Sequence, residues 1–265
     1  MKERGEKIAM LTAYDYSTAR IADAAGIPVL LVGDSLSHLM LGHDSEVRVT
    51  MDEMIHHTKA VSRGASRALV IGDMPFLSYH MGPDEALRNA GRFLQEGGAR
   101  AVKLEGAAVL DTVAKMVAAG IPVMGHLGLT PQSVNVFGGH KIQGKTREAA
   151  ARIVRDALRL EEAGVFAIVL EVVPAPLAAL ITSKLGIATI GIGAGVGCDG
   201  QVQVLHDLLG LLPDFTPKHA RRYAELAQLM DGAFKAYQED VQAERFPTEE
   251  NSFPMDVGIL QDLDL

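Results

Sequence analysis

Short apolar runs alternate with longer segments of helical periodicity along most of the chain. The run VLLV at 29–32 is apolar at every position, which is typical of a strand buried on both faces. The pattern predicts eight strands, at 7–13, 28–34, 68–74, 101–106, 122–129, 167–173, 188–195 and 203–211. The last run is the weakest of the eight and also fits a helix.

Four amphipathic segments lie between these runs, at 17–26, 51–65, 83–98 and 146–164. Thr50 and Glu53 form a capping-box pattern at the start of the second segment, and Pro83 opens the third. Thr146 is a candidate cap of the fourth. Repeated β-then-α units over about 250 residues predict a parallel (β/α)₈ barrel, or TIM barrel. A doubly wound open sheet is the alternative.

The chain shows no domain linker and no low-complexity tract, so we expect a single barrel domain over residues 1–265. The long polar segment 217–245 is expected to be helical. From about residue 247 the tail is acidic and poor in aromatic residues, and we expect it to be mobile.

The composition is typical of a soluble globular protein, with 48% hydrophobic and 22% charged residues. A net charge of -8 argues against a nucleic-acid surface. No apolar run approaches the length of a membrane span, and the N-terminal run is too short for a secretory signal. Cys198 is the only cysteine, which excludes an intramolecular disulfide and fits a reducing compartment. We therefore expect a cytoplasmic protein with no membrane or nucleic-acid partner.

Acidic residues stand at the ends of four predicted strands: Asp34, Asp73, Glu105 and Glu171. In a barrel the carboxyl ends of all strands open onto one face, and that face carries the chemistry. Carboxylate oxygens are the ligands that Mg²⁺ prefers, together with water and substrate oxygens, and an unused carboxylate can act as a general base. The absence of an H-E-x-x-H motif and of a cysteine cluster argues against zinc.

Each acid alone has a structural alternative, because a strand-end Asp often caps the following helix. Four acids in the same position favour function. Lys103 alternates with Glu105, so the two side chains share one side of a strand. Lys103 therefore has three interpretations: pairing with an acid, binding a substrate anion, or forming a Schiff base. The many carboxylates favour a charged lysine and disfavour the Schiff base.

Two loops and three histidines leave alternatives open. The glycine-rich stretch 191–200 fits either an anion-binding loop or a tight turn. The loop at 125–145 is a candidate lid, although solvated loops are commoner. His126 lies in an apolar run, where a histidine is more often part of the core, and we expect His56 and His57 at the surface.

Several blocks, in a matching order, resemble the ketopantoate hydroxymethyltransferase family. The resemblance extends from about Lys7 to Phe253, and GHLGLTPQSVN is its most specific block. The blocks are TAYDYSTA (12–19), VLLVGDSL (29–36), LGHDS (41–45), VKLEG (102–106), GHLGLTPQSVN (125–135), FGGHKIQG (137–144), LEVVP (170–174), GIGAG (191–195) and DGQ (199–201).

The resemblance implies a barrel of the phosphoenolpyruvate/pyruvate superfamily type. It implies transfer of a hydroxymethyl group from 5,10-methylenetetrahydrofolate to 3-methyl-2-oxobutanoate, giving 2-dehydropantoate (ketopantoate) and tetrahydrofolate in pantothenate and coenzyme A biosynthesis. The family uses Mg²⁺ and forms homo-oligomers, commonly decamers. Two other hypotheses stay open: another Mg-dependent lyase or mutase acting on pyruvate-like 2-oxoacids, and a non-catalytic binding protein that has kept the fold.

The resemblance also implies roles for individual residues. Asp34, Asp73 and Glu105 match the metal ligands, and Glu171 matches the catalytic base. The 2-oxoacid site is implied to comprise Asp34, Ser35, Asp73 and Lys103, with His126 added because it falls in the active-site block. A folate pocket is required but is not located by the sequence, and the loops at 125–145 and 191–200 are the candidates.

Overall fold

Eight parallel strands close into a barrel in the computed structural model, which describes residues 1–133 and 141–260. Each strand pairs with the next, and β8 pairs with β1. The strands are β1 Ile8–Thr12, β2 Val29–Val32, β3 Leu69–Asp73, β4 Ala101–Lys103, β5 Val123–Gly128, β6 Ala167–Glu171, β7 Ala188–Ile192 and β8 Gly200–Gln203. The closed order confirms the (β/α)₈ prediction and excludes the open sheet.

Helices follow the strands around the outside of the barrel. They are α1 Tyr16–Ala24, α2 Leu36–Leu39, α3 Met51–Gly64, α4 Pro83–Gln95, α5 Leu110–Ala118, α6 Arg147–Glu162, α7 Ala175–Lys184, α8 Leu205–Leu209 and α9 Leu226–Gln242. The predicted start signals are confirmed: Thr50 and Glu53 form a reciprocal capping box, Pro83 lies in the first turn of α4, and the Thr146 hydroxyl accepts from the Ala149 N–H. The sequence pattern did not single out α2, α5 or α7.

The eighth strand is shorter and earlier than predicted. Strand β8 ends at Gln203, and the run that followed in the prediction forms α8 instead. Leu205, Leu208 and Leu209 have helical spacing, and Gly210 ends the helix in the left-handed conformation with φ 65°. The strand prediction for 203–211 was therefore wrong over most of its length, and the helical alternative was right.

The apolar core has two parts. The first fills the barrel and consists of Met10, Leu31, Ile71, Ala101, Met124, Ala167, Val169, Ile190 and Val202. The second lies between the barrel and the helices, where Phe93 of α4 packs so closely on β3 that a side chain at Gly72 would collide with its ring. The filled interior makes the barrel a packed core, so a ligand can enter only at the ends of the strands.

The last described helix, α9, has no buried residue. The helix predicted over 217–245 is confirmed only in part, because 217–225 contain no helix. Leu229, Phe234 and Tyr237 of α9 expose more than half of their surface. Among the described residues, no helix is both long and apolar enough to cross a membrane.

Candidate active site

A cavity of about 430 Å³ opens at the carboxyl ends of the strands. Its lining includes all seven residues predicted for the site: Asp34, Ser35, Asp73, Lys103, Glu105, His126 and Glu171. Leu31, Val169 and Val202 from the barrel interior also line it. The cavity therefore joins apolar surface to a concentrated set of charges, which is typical of a small-molecule site.

The strand register explains why the acids converge. Asp73 and Glu171 are the last residues of β3 and β6, while Asp34 and Glu105 follow the ends of β2 and β4. The next helices in the described chain, α2, α4, α5 and α7, have no side-chain cap at their N-termini. Capping, the structural alternative, therefore does not explain these four acids.

Lys103 forms a buried ion pair with Asp73. Its Nζ lies 2.8 Å from both Asp73 carboxylate oxygens and 4.0 Å from Glu105 Oε1. Burial lowers the pKa of Lys103, but the charges of Asp73, Glu105 and Asp34 outweigh it and raise the pKa above its usual value. Lys103 is thus held as a cation, whereas a Schiff-base lysine needs a lowered pKa.

Asp34 and Asp73 are both buried and lie close together. The Asp34 N–H donates to Asp73 Oδ2 at 3.4 Å. Burial, followed by repulsion from Asp73 and Glu105, raises the pKa of Asp34 well above its ordinary value. Burial also raises the pKa of Asp73, and the Lys103 charge opposes this only in part. Such crowding of carboxylates favours a bound cation.

Gln132, which the sequence reasoning did not single out, connects the acids. Its Nε2 donates to Asp34 Oδ2 at 2.8 Å and to the Met74 carbonyl at 3.0 Å, and its backbone N–H donates to Glu105 Oε2 at 3.1 Å. Its Oε1 accepts a 2.7 Å hydrogen bond from the Tyr79 hydroxyl. Gln132 is 4% exposed, so one buried residue contacts two of the predicted ligands, Asp34 through its side chain and Glu105 through its backbone.

His126 lies between two carboxylates. Its Nδ1 is 3.3 Å from Glu105 Oε1, and its Nε2 is 3.3 Å from Glu171 Oε2. Burial and the charge of Lys103 lower the pKa of His126, but Glu105 and Glu171 outweigh them and raise it to about 9. Among the described residues neither ring nitrogen has a hydrogen bond of good geometry, although a carboxylate oxygen lies 3.3 Å from each. His126 is therefore a charged member of the site and not an apolar core histidine.

The carboxylates match a hard cation in chemistry. Glu105 Oε1 is buried with no hydrogen bond of good geometry in the described part of the chain, and Asp34 and Asp73 line the same cavity. Within residues 1–133 and 141–260, the structure contains no group of three or more acidic, histidine or cysteine side chains that could together hold a metal ion. Mg²⁺ commonly uses only one or two carboxylates with water and substrate oxygens, so the donor set fits Mg²⁺ without a complete protein cage.

Ser35 is held by a second small network. Its Oγ lies 2.9 Å from the Tyr14 hydroxyl, and the Tyr14 carbonyl oxygen lies 2.6 Å from His57 Nδ1. Tyr14 is fully buried, and its role was not predicted. The surface prediction is right for His56 but wrong for His57, which is half-buried against this tyrosine.

The two predicted loop sites differ in what they contribute. Of the stretch 191–200, only Ile192 lines the cavity, and side chains at Gly195 and Gly197 would collide with Ala175 and Ala179 of α7. Close packing therefore accounts for these glycines better than an anion loop. Residues 134–140, the middle third of the predicted lid at 125–145, lie outside the described residues.

The closed parallel barrel is similar in fold to solved structures that include members of the PEP mutase/isocitrate lyase superfamily. A phosphonopyruvate hydrolase structure matches with a TM-score of 0.62 and 11% identity, covering 98% of this chain and 90% of that chain. A 2,3-dimethylmalate lyase, a member of that superfamily, matches with a TM-score of 0.59 and 16% identity, covering 96% and 89%. At these identities the likeness shows the fold alone.

Sequence comparison identifies the family. The profile of ketopantoate hydroxymethyltransferase matches residues 1–249. The 3-methyl-2-oxobutanoate hydroxymethyltransferase of Acetivibrio thermocellus is 58% identical over 264 residues, covering 99% of this chain and 93% of the relative. That of Chloroflexus aggregans is 59% identical over 257 residues, covering 97% and 91%. The chain belongs to the ketopantoate hydroxymethyltransferase family.

Proposed function

We propose that this protein transfers a hydroxymethyl group from 5,10-methylenetetrahydrofolate to 3-methyl-2-oxobutanoate. The products are 2-dehydropantoate and tetrahydrofolate, and the reaction serves pantothenate and coenzyme A biosynthesis. The family membership supports this activity. The observation that carries it is the meeting of Lys103, His126 and four acids from separate strand ends in one cavity.

The chemical problem is removal of the weakly acidic C3 proton of the 2-oxoacid. We assign Asp34, Asp73 and Glu105 to a Mg²⁺ ion, which when bound would supply the Lewis acidity that stabilises the enolate. Asp34, Ser35, Asp73, Lys103 and His126 form the binding site for the 2-oxoacid. The charge of Lys103 is suited to orienting a substrate carboxylate among so many acids.

Glu171 is the proposed general base. Its side chain is 16% exposed, whereas the side chains of Asp73 and Glu105 expose 2% and 3% and Asp34 is buried, so it is the most exposed of the four strand-end acids. His126 Nε2, 3.3 Å from Glu171 Oε2, holds the carboxylate in position. After Glu171 takes the C3 proton, the carbon attacks the one-carbon unit derived from the folate, and water supplies the hydroxyl oxygen as tetrahydrofolate leaves.

Proton NMR of 3-methyl-2-oxobutanoate in deuterium oxide, without folate, tests the site. Loss of the C3–H signal with Mg²⁺ but not with chelator is the expected result, since deprotonation then depends on the metal. A product assay with 5,10-methylenetetrahydrofolate follows. Proton exchange without any folate-dependent product would favour the alternative, a Mg-dependent lyase or mutase acting on pyruvate-like acids.

We also propose that the protein is a cytoplasmic homo-oligomer, a decamer, built from single-domain chains whose tail is mobile from about residue 247. The exposed apolar side chains of α9 support contact with other copies, because such surface is costly to leave in water. Light scattering should give a particle of ten 28.3 kDa chains. A monomer mass at micromolar concentration would contradict the proposal.

A further inference from the structure

We propose that residues 211–225, the mouth strap, form the binding site for the folate co-substrate, with Lys218 and His219 recognising the carboxylates of its glutamate tail. The inference rests on the proposed function and assigns residues to the second substrate. The cavity has a volume of about 430 Å³, which lies in the range of sites for drug-sized ligands. A five-carbon acid alone does not need a cavity of that size.

The cavity has two chemically different halves. The inner half holds the buried acids, with Lys103 and His126 already engaged by carboxylates. The outer half is apolar and basic, and its lining consists of Val172, Ile192, Val204, Phe215, Pro217, Lys218 and His219, with Asp207 and Glu46. Apolar and aromatic surface beside two basic side chains suits a flat aromatic ligand that ends in carboxylates.

The mouth strap is anchored and does not hang free. The Arg222 guanidinium donates to the Leu212 and Pro213 carbonyls and lies 3.2 Å from Glu225 Oε2. The Arg221 N–H donates to Gln203 Oε1 at 2.8 Å, which ties the strap to β8. These bonds hold the strap across the mouth before any ligand arrives, and such preorganisation lowers the entropic cost of binding.

His219 reaches the cavity because Gly193 leaves room for it. A Cβ atom at Gly193 would lie 3.2 Å from His219 Cβ and 3.5 Å from Val172 Cγ2. Val172 has a φ of 49°, which is unusual for a β-branched residue and costly to maintain. Val172 directly follows Glu171 in the chain. The mouth strap, the strained backbone and the proposed base are therefore neighbours.

The basic side chains of the mouth strap are available to a ligand. Within the described chain, Lys218 and His219 form no ion pair within 4.0 Å, and both side chains are exposed. Two acids share the mouth, but Glu46 lies 3.0 Å from His38 Nε2. Burial raises the pKa of Asp207, and the nearby His219 and Arg222 oppose this in part.

The position of the mouth strap also fits the direction of the reaction. Glu171 pairs with Ile192 in the register of β6 and β7, and Val172 and Ile192 line the outer half. A one-carbon donor held by the strap would therefore approach from the side on which Glu171 is open. The carbon that loses its proton to Glu171 would face that donor.

Kinetics of Lys218→Gln, His219→Gln and the double variant test the proposal. We expect the KM for 5,10-methylenetetrahydrofolate to rise roughly three- to fivefold for each single change, as for loss of an exposed ion pair. The KM for the 2-oxoacid and the Mg-dependent C3 exchange without folate should stay at the wild-type values. Lys235→Gln on α9 is the matched control, because Lys235 is exposed and pairs only with Asp231 among the described residues.

A comparison with 5,10-methylenetetrahydropteroate, a donor that lacks the glutamate, tests whether Lys218 and His219 contact the glutamate tail. Wild type should prefer the glutamylated donor, and the double variant should lose most of that preference. An unchanged folate KM with an unchanged preference in the double variant overturns the role of the mouth strap. Failure of wild type to use any folate donor instead overturns the proposed function, so the two failures are distinguishable.

Discussion

Asp23 and Asp34 are equally buried, at 6% exposure each, yet their surroundings act on them in opposite directions. Asp23 accepts hydrogen bonds from the Ala68 N–H at 2.7 Å, the Arg67 N–H at 3.0 Å and the Ser66 hydroxyl at 3.1 Å. These bonds, led by that from Ala68, lower its pKa to about 2. Asp34 accepts from one side-chain donor, Gln132, and burial with repulsion from other acids raises its pKa.

The difference shows that burial alone does not separate a structural acid from a functional one. The donors around the acid do so, because a carboxylate with several N–H and O–H partners is stabilised as an anion by the fold itself. Asp23 joins α1 to the segment between α3 and β3. Under the proposed function, a bound Mg²⁺ ion would give Asp34 the stabilisation that hydrogen-bond donors give Asp23.

The largest effect is expected from Glu171→Gln. The amide cannot accept the C3 proton, so kcat should fall by about 10²–10⁴-fold while 2-oxoacid binding persists. The rate of C3 exchange in deuterium oxide measures this step directly. Glu148→Gln, an exposed change on α6, is the control. An unchanged exchange rate in Glu171→Gln would falsify its role as the base.

Asp34→Asn should reduce Mg²⁺ affinity by roughly 100-fold, the upper end of the effects known around metal sites. The melting temperature should stay the same or rise, because the change removes a buried charge whose raised pKa disfavours folding at neutral pH. The Gln132 amide can still donate to the Asn oxygen. Isothermal titration with Mg²⁺ and a thermal melt of the same sample test both halves. A lower melting temperature with intact Mg²⁺ affinity would place Asp34 with Asp23 as a structural acid.

Of the two acids compared, the sequence predicted a role for Asp34 but none for Asp23. Asp34, Asp73 and Glu171 could be found because strand ends in a barrel share one face, and that rule depends only on local hydrophobic patterns. Asp23 attracted no attention, since its partners lie 43 to 45 residues away in a connecting segment. Its importance is set by tertiary contacts that no local periodicity reveals.

The same limit explains the other residues that were missed. Gln132 lies in a short 3₁₀ turn at Pro131–Ser133, and its hydrogen bond to Asp34 spans 98 residues. The mouth strap lacks helix and strand over 211–225, so it offered no pattern. The strand prediction for 203–211 failed because a short leucine-rich stretch fits either a strand or a helix. In the structure it forms a helix that ends at Gly210.

Gln132→Met tests whether one amide keeps Asp34 in its functional surroundings. The side chain is similar in length but cannot donate to Asp34 or accept from Tyr79, so Mg²⁺ affinity should fall by about tenfold. The Glu105 contact, which uses the backbone N–H of residue 132, should persist. Gln132→Glu is the matched variant, because it keeps the acceptor for Tyr79 and adds a further charge. Wild-type Mg²⁺ affinity in Gln132→Met would show that Gln132 does not position Asp34 for the metal.

The smallest effect, and the one that completes the comparison, is expected from Asp23→Asn. The lowered pKa of Asp23 means that its anion stabilises the fold above the unfolded-state pKa of about 3.9, and that this contribution is lost as the pH falls through about 2. The melting temperature of the variant should therefore lie below wild type between pH 5 and pH 7 by a constant amount, and the gap should narrow below about pH 4. Mg²⁺ affinity and kcat should stay at wild-type values, in contrast to Asp34→Asn. A gap that widens on acidification, or a loss of Mg²⁺ affinity, would show that the two buried acids are coupled and that the division between structural and functional carboxylates fails in this barrel.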